Sequence, residues 1–383
     1  MNDRPTLGRR YWNGISYGPR VTIAPKSSLL IVGPTQAGKT SSLVMPALLR
    51  WTDALVVTSV KNDVIEATSQ WRRELGETQI LEPGLDGGLT WNPLEGVTTV
   101  RHALRVARDL TVGSNDRGDT EFWNSLATKL VAGLMTLAVQ RGDTIFDVAR
   151  VVESHDVAGW LGEREASLAG DFVRNFLEHD RRTLDGVLTT AETMLMPWRF
   201  EQPLARVRQV VDGANTLYLC SPRGEQRHYE ALFRGALRMV LEEQQRKVDE
   251  GTSRRLLMVL DEAATVASLD ELDQLAATVS GLNVTLVTVI QDFGQLVARW
   301  GPKASTIVNN HTTRVVLGGL ADPTVGKYLP ELVAGKPDAP AMPLRLRPRG
   351  TAMVVAGNER VFHVRLRPWW KDRRLRDLGV RAM

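Results

Sequence analysis

The chain has 383 residues, of which 43% are hydrophobic and 24% charged, and a formal net charge of +4. That length accommodates two or three cores of roughly 100 to 200 residues each, and the composition is ordinary for a globular protein. A single cysteine, Cys220, excludes an intrachain disulfide and a cysteine-built zinc site. Set in Leu217-Tyr218-Leu219-Cys220, it reads as a small buried residue in a reducing setting. No run approaches the roughly 20 apolar residues of a membrane-spanning helix, and the polar start, Met1-Asn2-Asp3-Arg4-Pro5, is unlike a signal peptide.

Ser28-Leu29-Leu30-Ile31-Val32 has the length and composition of a buried strand. It runs into Gly33-Pro34-Thr35-Gln36-Ala37-Gly38-Lys39-Thr40, then Ser41 and a helical apolar run from Leu43 to Leu49. Glycines at both ends of such a loop let backbone N–H groups wrap around phosphates, and the helix that follows turns its positive end toward the same anion. Lys39 is placed to reach the β- and γ-phosphates, and the Thr40 hydroxyl to coordinate magnesium. Strand, loop and helix in this order indicate a nucleoside triphosphate site, and Gly33 to Ser41 are its predicted binding residues.

Ala54-Thr58 reads as the next strand; from about residue 98 to 205 strand-like runs give way to helical spacing. Phe122, Leu126, Leu130, Leu134 and Leu137 form one apolar stripe, with Asp119 and Thr120 as candidate N-caps ahead of it. Further helical patterns surround Val148-Val152, Phe172-Leu177 and Val187-Met194. Strands resume at Leu217-Cys220, Leu256-Leu260, Val284-Ile290 and Arg314-Leu317, which makes the helical block an insertion in an α/β fold with a mainly parallel sheet.

Two of these strands end in chemistry. Leu256-Leu260 runs into Asp261-Glu262, a carboxylate for magnesium followed by one to polarise an attacking water, which points to hydrolysis rather than transfer to a bound acceptor. Val284-Ile290 ends in Gln291, whose amide is suited to sensing the γ-phosphate. The candidate catalytic residues are thus Glu262, Lys39 and Gln291, with Thr40 and Asp261 for the metal.

The tail is basic: Pro343 to Met383 carries eleven Lys and Arg against three Asp and Glu. Such a segment suits a nucleic-acid backbone, a solvated surface or an acidic partner. Ala352-Val355 and Val361-Leu366 read as a hairpin, followed by Trp369-Trp370, whose rings are expected to cover the edge of a core rather than stack on bases. The expected organisation is a nucleotide-binding domain over 1–97 and 206–342, an inserted all-α domain over 98–205, and a basic hairpin and tail over 343–383 packed on the former.

With these residues in place the chain resembles the type IV coupling proteins, motor ATPases of conjugation and type IV secretion among the ring-forming DNA-pumping ATPases, in a version most like the actinobacterial ones. The resemblance rests on the two nucleotide motifs and on Val57-Thr58-Ser59-Val60-Lys61-Asn62-Asp63, Trp91-Asn92-Pro93-Leu94 and Val289-Ile290-Gln291-Asp292-Phe293-Gly294-Gln295-Leu296. Asn309-Asn310-His311, Thr313-Arg314-Val315-Val316-Leu317, Asp322-Pro323 and Tyr328 follow in the family's manner. It implies a RecA-like domain using ATP and Mg2+, a homohexameric ring with nucleotide bound between neighbours, and a channel for DNA. It further implies an all-α domain meeting relaxase–DNA or secreted protein cargo, and membrane-embedded secretion-channel partners, hence a place at the cytoplasmic face of the membrane. Family members usually begin with transmembrane helices, which this chain lacks, and some carry an arginine finger where this chain reads Ala277-Thr278-Val279-Ser280-Gly281. Arg314 and Lys61 are candidate substitutes because their segments lie at the ends of, or beside, sheet strands. A second reading is a recruitment platform for secreted proteins, in which nucleotide binding sets conformation with little turnover.

Overall fold

The computed structural model describes residues 4–12, 14–59, 62–83, 88–111, 119–161, 167–221, 224, 226–266, 269–320, 350–357 and 361–380. It divides into two compact units, the first made of Met1–Ile80, Val207–Gln226 and Val240–Met383, the second of Leu81–Arg206 and Arg227–Met239.

The strands are β1 (Thr6–Trp12), β2 (Ile15–Thr22), β3 (Ser28–Val32), β4 (Ala54–Ser59), β5 (Thr78–Leu81), β6 (Thr90–Trp91), β7 (Leu204–Ala205), β8 (Thr216–Cys220), β9 (Leu256–Leu260), β10 (Val284–Ile290), β11 (Thr313–Leu317), β12 (Thr351–Ala356) and β13 (Phe362–Arg365). Eleven of them form one sheet in the order β2-β1-β13-β12-β11-β3-β10-β9-β4-β8-β5. From β11 across β3, β10, β9 and β4 to β8 the pairing is parallel. Strands β3, β4, β8, β9 and β10 are buried along their whole length, which is why they read as unbroken apolar runs. Beyond β11 the pairing turns antiparallel through β12, β13, β1 and β2. The expected tail hairpin is therefore no appendage but the continuation of the same sheet.

A fully buried arginine fastens one end of this sheet. Arg72, on the helix Asn62–Leu75, donates to the carbonyls of Trp51, Asp53 and Ala214 and to Thr216 Oγ1, the last at 2.7 Å. Burial pulls its pKa down to about 10 despite the nearby Tyr218 and Asp53. Trp51 and Asp53 precede β4, Ala214 precedes β8 and Thr216 opens it, so one guanidinium ties the helix to the starts of two strands.

The second unit is mainly helical: Val100–Asp109, Asp119–Arg141, Ile145–Glu153, Val157–Leu161, Leu168–Leu177 and Arg181–Leu195, with β6 and β7 pairing as a separate ribbon. It begins earlier than residue 98 and takes in 227–239, because Trp91 is one of its core residues. The Trp91 indole donates to Leu232 O at 3.0 Å and meets Trp198 edge-on at 5.8 Å. It leaves so little room over Gly235 that a Cβ there would sit 2.7 Å from the ring.

Two expectations for the long helix need correcting. Leu130, Leu134 and Leu137 are buried but Phe122 is 54% exposed, so the stripe reaches the core only after its first turn. The helix already begins at Asp119, which puts Asp119 and Thr120 inside it; their side chains lie outside the described residues. Glu121–Arg141 is also apolar and long enough, by length and composition alone, to cross a membrane, although no unbroken apolar run marked it. Leu126, Leu130, Leu134, Leu137, Val131 and Val139 supply most of that hydropathy, and 61% of its apolar window is buried, as in a core helix.

Candidate nucleotide site

Parallel register brings the chemistry to one edge. Val32 pairs with Ile290, and Leu260 with Thr288, so β3, β10 and β9 finish side by side. Residues following the carboxyl ends of adjacent parallel strands line the crevice where ligands of open α/β sheets bind. Gly33 N–H donates to Ile290 O at 3.3 Å and Ala263 N–H to Val289 O at 3.0 Å, which stitches the three exits together.

The loop leaving β3 needs its glycines. A Cβ on Gly33 would lie 2.8 Å from the Leu317 Cβ of β11, and Gly38 has a φ of +90°, a conformation that suits a residue without Cβ. Gln36 also adopts a left-handed φ, 60°. The Lys39 ammonium donates to Gly33 O at 2.5 Å and to Pro34 O at 3.0 Å, which centres it in the loop. The first turn after the loop, Thr40–Val44, is wound as a π-helix before Met45–Arg50 continues as α-helix, a local widening found often at functional sites.

Asp261 is buried beside this turn. Its Oδ2 accepts from the Thr40 hydroxyl at 3.1 Å, and its backbone carbonyl accepts from Thr58 Oγ1 of β4 at 3.0 Å. A hydroxyl and a carboxylate oxygen so placed at a helix start are the donor types that hold Mg2+ beside a phosphate. Among the described residues no group of three or more His, Cys, Asp or Glu gathers for a metal. A cation here would therefore take its other ligands from phosphate and water, as Mg2+ commonly does.

Glu262 follows with a φ of 55°, a left-handed conformation that costs a residue of this kind about 1–3 kcal/mol and clusters at working sites. Gln291 closes β10, and its N–H donates to Gln295 Oε1 at 3.0 Å. Asp292 caps the helix Phe293–Trp300 by accepting from Gln295 N–H at 2.7 Å. These local bonds set the backbone that presents the Gln291 amide.

Phosphate loop, Asp261 and Glu262 line a cleft of about 570 Å³ together with Asp63, Glu66, Trp369 and Trp370. These last four were not assigned to the site from sequence. Trp369 is buried as expected of a core edge, whereas Trp370 is 46% exposed, on the cleft. More than 300 residues separate the tryptophans from the loop, and no local pattern announces a contact made only through strand order.

Arg314, the candidate substitute finger, lies on a strand of the sheet. It stands at the start of β11, not its carboxyl end, half-buried, donating to the carbonyl of its own neighbour His311 at 2.6 Å. Burial depresses its pKa. Lys61, Asp322, Pro323 and Tyr328 lie outside the described residues.

Residues 14–336 match the family described as type IV secretory system conjugative DNA transfer. The chain belongs to this family of coupling proteins. It is 24% identical over 328 residues to conjugal transfer protein TraG of Escherichia coli, and 21% identical over 341 residues to protein VirD4 of Rhizobium radiobacter. These alignments cover 74% and 83% of the chain but 51% and 49% of the relatives, so the chain spans about half the length of the curated relatives it matches. The coupling-protein fold is evident in the solved structure of plasmid coupling protein TrwB in complex with ADP and Mg2+, at a TM-score of 0.71 and 19% identity, covering 95% of this chain and 94% of that one. VirB4 of Thermoanaerobacter pseudethanolicus is similar at a TM-score of 0.61 and 13% identity.

Proposed function

We propose that this coupling protein binds ATP and Mg2+ at the cleft and hydrolyses ATP to drive DNA or nucleoprotein through a type IV secretion system. The observation that carries the reading is that the phosphate loop, Asp261-Glu262 and Gln291 follow the ends of three adjacent parallel strands, the first two lining one cleft. In this reading the loop amides and Lys39 neutralise the β- and γ-phosphates. Thr40 and Asp261 would hold Mg2+, which would supply neutralisation of phosphate charge. Glu262 orients and deprotonates the attacking water, and the Gln291 amide reports the γ-phosphate to the helix it precedes. Family membership supports DNA, with relaxase or secreted protein as cargo, and membrane-embedded channel components as partners. It also supports a working homohexamer at the cytoplasmic face of the membrane.

The test is Mg2+-dependent ATP turnover by the chain, with and without DNA. Turnover stimulated by DNA and lost by at least a hundredfold in Lys39→Ala and in Glu262→Gln is the expected result; undiminished turnover in either variant overturns the mechanism. A recruitment platform that binds ATP without turning it over is the second reading. It draws on the stretch Ala277 to Gly281, which offers no arginine, and on the engagement of Arg314 by its own chain. Tight ATP binding with no hydrolysis in the assembled, DNA-bound state selects it.

A further inference from the structure

Resting on the reading that the loop binds a triphosphate, we propose that Trp370 is a stacking platform for the nucleotide base, with Asp63 and Glu66 meeting the ribose and base edge. The indole of Trp370 is half exposed and lines the same cleft as Lys39, Thr40 and Asp261. A large apolar ring left open beside a phosphate site matches the one part of a nucleotide that is flat and weakly hydrated.

The platform is rigidly built. Trp369 is buried against Gly379, whose missing Cβ makes room for the ring, and meets Trp370 edge-on at 6.1 Å. The turn carrying both indoles ends at Asp372, whose carboxylate is bridged by Arg50 at 2.8 Å and Arg20 at 2.6 Å. Arg50 closes the helix that starts just past the phosphate loop. The helix Arg373–Val380 then packs on that helix and on Asn62–Leu75. The loop that grips phosphates and the ring offered to the base are therefore fastened to the same element.

Charge orients the ligand. Asp63 and Glu66 lie three residues apart on the helix Asn62–Leu75, so their carboxylates share one face, and both are exposed on the cleft. Carboxylates repel a triphosphate but accept hydrogen bonds from ribose hydroxyls and an exocyclic amine. The cleft thus pairs a donor-rich phosphate site with acceptors suited to the other end of the molecule.

Calorimetric binding of Mg·ATP and of Mg·tripolyphosphate, which has no base or ribose, to the full chain separates this proposal from the reading beneath it. Trp370→Ala is expected to weaken ATP binding about tenfold and leave tripolyphosphate binding unchanged, with Trp370→Phe restoring most of the loss. Trp370→Leu, apolar but without a ring face, serves as a second variant. Wild-type ATP affinity in the Ala or Leu variant overturns stacking while leaving the phosphate-loop reading intact; tripolyphosphate affinity that Lys39→Ala does not reduce overturns the reading itself. Asp63→Asn combined with Glu66→Gln is expected to narrow the preference for ATP over 2′,3′-dideoxy-ATP. An unchanged ratio removes the carboxylates from the proposal.

Discussion

The nucleotide unit and the helical unit are held together by different kinds of polar bond. In the first, buried groups join segments far apart in the chain: Ser28 Oγ donates to Asn310 O across 282 positions, and Arg72 reaches Thr216. In the second, many of the polar bonds are local and solvated. Thr99, Thr144, Ser167 and Asp180 cap the helices they precede, and Arg150–Asp147 and Arg174–Asp171 pair within one turn. Buried long-range bonds specify which strands lie side by side, and hence where the strand ends that carry chemistry converge. Local caps specify only where a helix starts and leave the rest of its solvated surface unconstrained.

The contrast is tested most severely at Arg72. Arg72→Met keeps the bulk but strands three buried carbonyls, and should lower unfolding free energy by about 3–5 kcal/mol in chemical denaturation. A loss under 1 kcal/mol would remove the distinction between the units.

His311 gives the next effect and a pH signature. It is fully buried, with Nδ1 at 2.7 Å from Ile307 O and Nε2 at 2.9 Å from Thr288 Oγ1 of β10. Burial, with a smaller push from Arg314, lowers its pKa to about 4, against the Ile307 hydrogen bond, which raises it. The unfolded chain takes up this proton first as pH falls, so the stabilisation is complete above about 6.5. It is lost progressively toward pH 4, by on the order of 3 kcal/mol. Denaturation midpoints of wild type and His311→Gln measured from pH 7 to 4 should converge as the wild type weakens; parallel curves would exclude His311 as the source.

The smallest effect belongs to the helical unit. Thr144 and Asp147 form a capping box, Thr144 Oγ1 accepting from Asp147 N–H at 3.2 Å while Thr144 N–H donates to Asp147 Oδ2 at 2.9 Å. Thr144→Ala should cost about 1 kcal/mol, and Arg150→Ala, on an exposed pair, under about 0.5 kcal/mol. Thermal unfolding monitored by a probe in the helical unit checks both, and a cap worth as much as Arg72 would collapse the comparison.

Where sequence was informative follows the same divide. The strands β3, β4, β8, β9, β10 and β11 are buried on both faces, so each was visible as an apolar run, and the chemistry sits one residue past three of them. β1 and β2 carry Gly8, Arg9, Arg10, Gly18, Pro19 and Arg20 on a largely exposed ribbon, with no alternation to give them away; pairing of β1 with β13, and of β2 with β1, makes them strands. Trp370 escaped for a related reason. A tryptophan beside basic residues looks the same whether it covers a core or lines a cleft, and only the order of strands in the sheet decides.

That order has a temporal side. β13 sits between β12 and β1, which precedes it by most of the described chain. The amino-terminal hairpin must wait, its inner edge unpaired, until some 350 further residues have been made. Slow non-local closure of this kind exposes strand edges to other chains. The arginines along β1 and β2 are the charged edge residues that discourage such pairing, so the positive charge of this ribbon also protects an unfinished sheet.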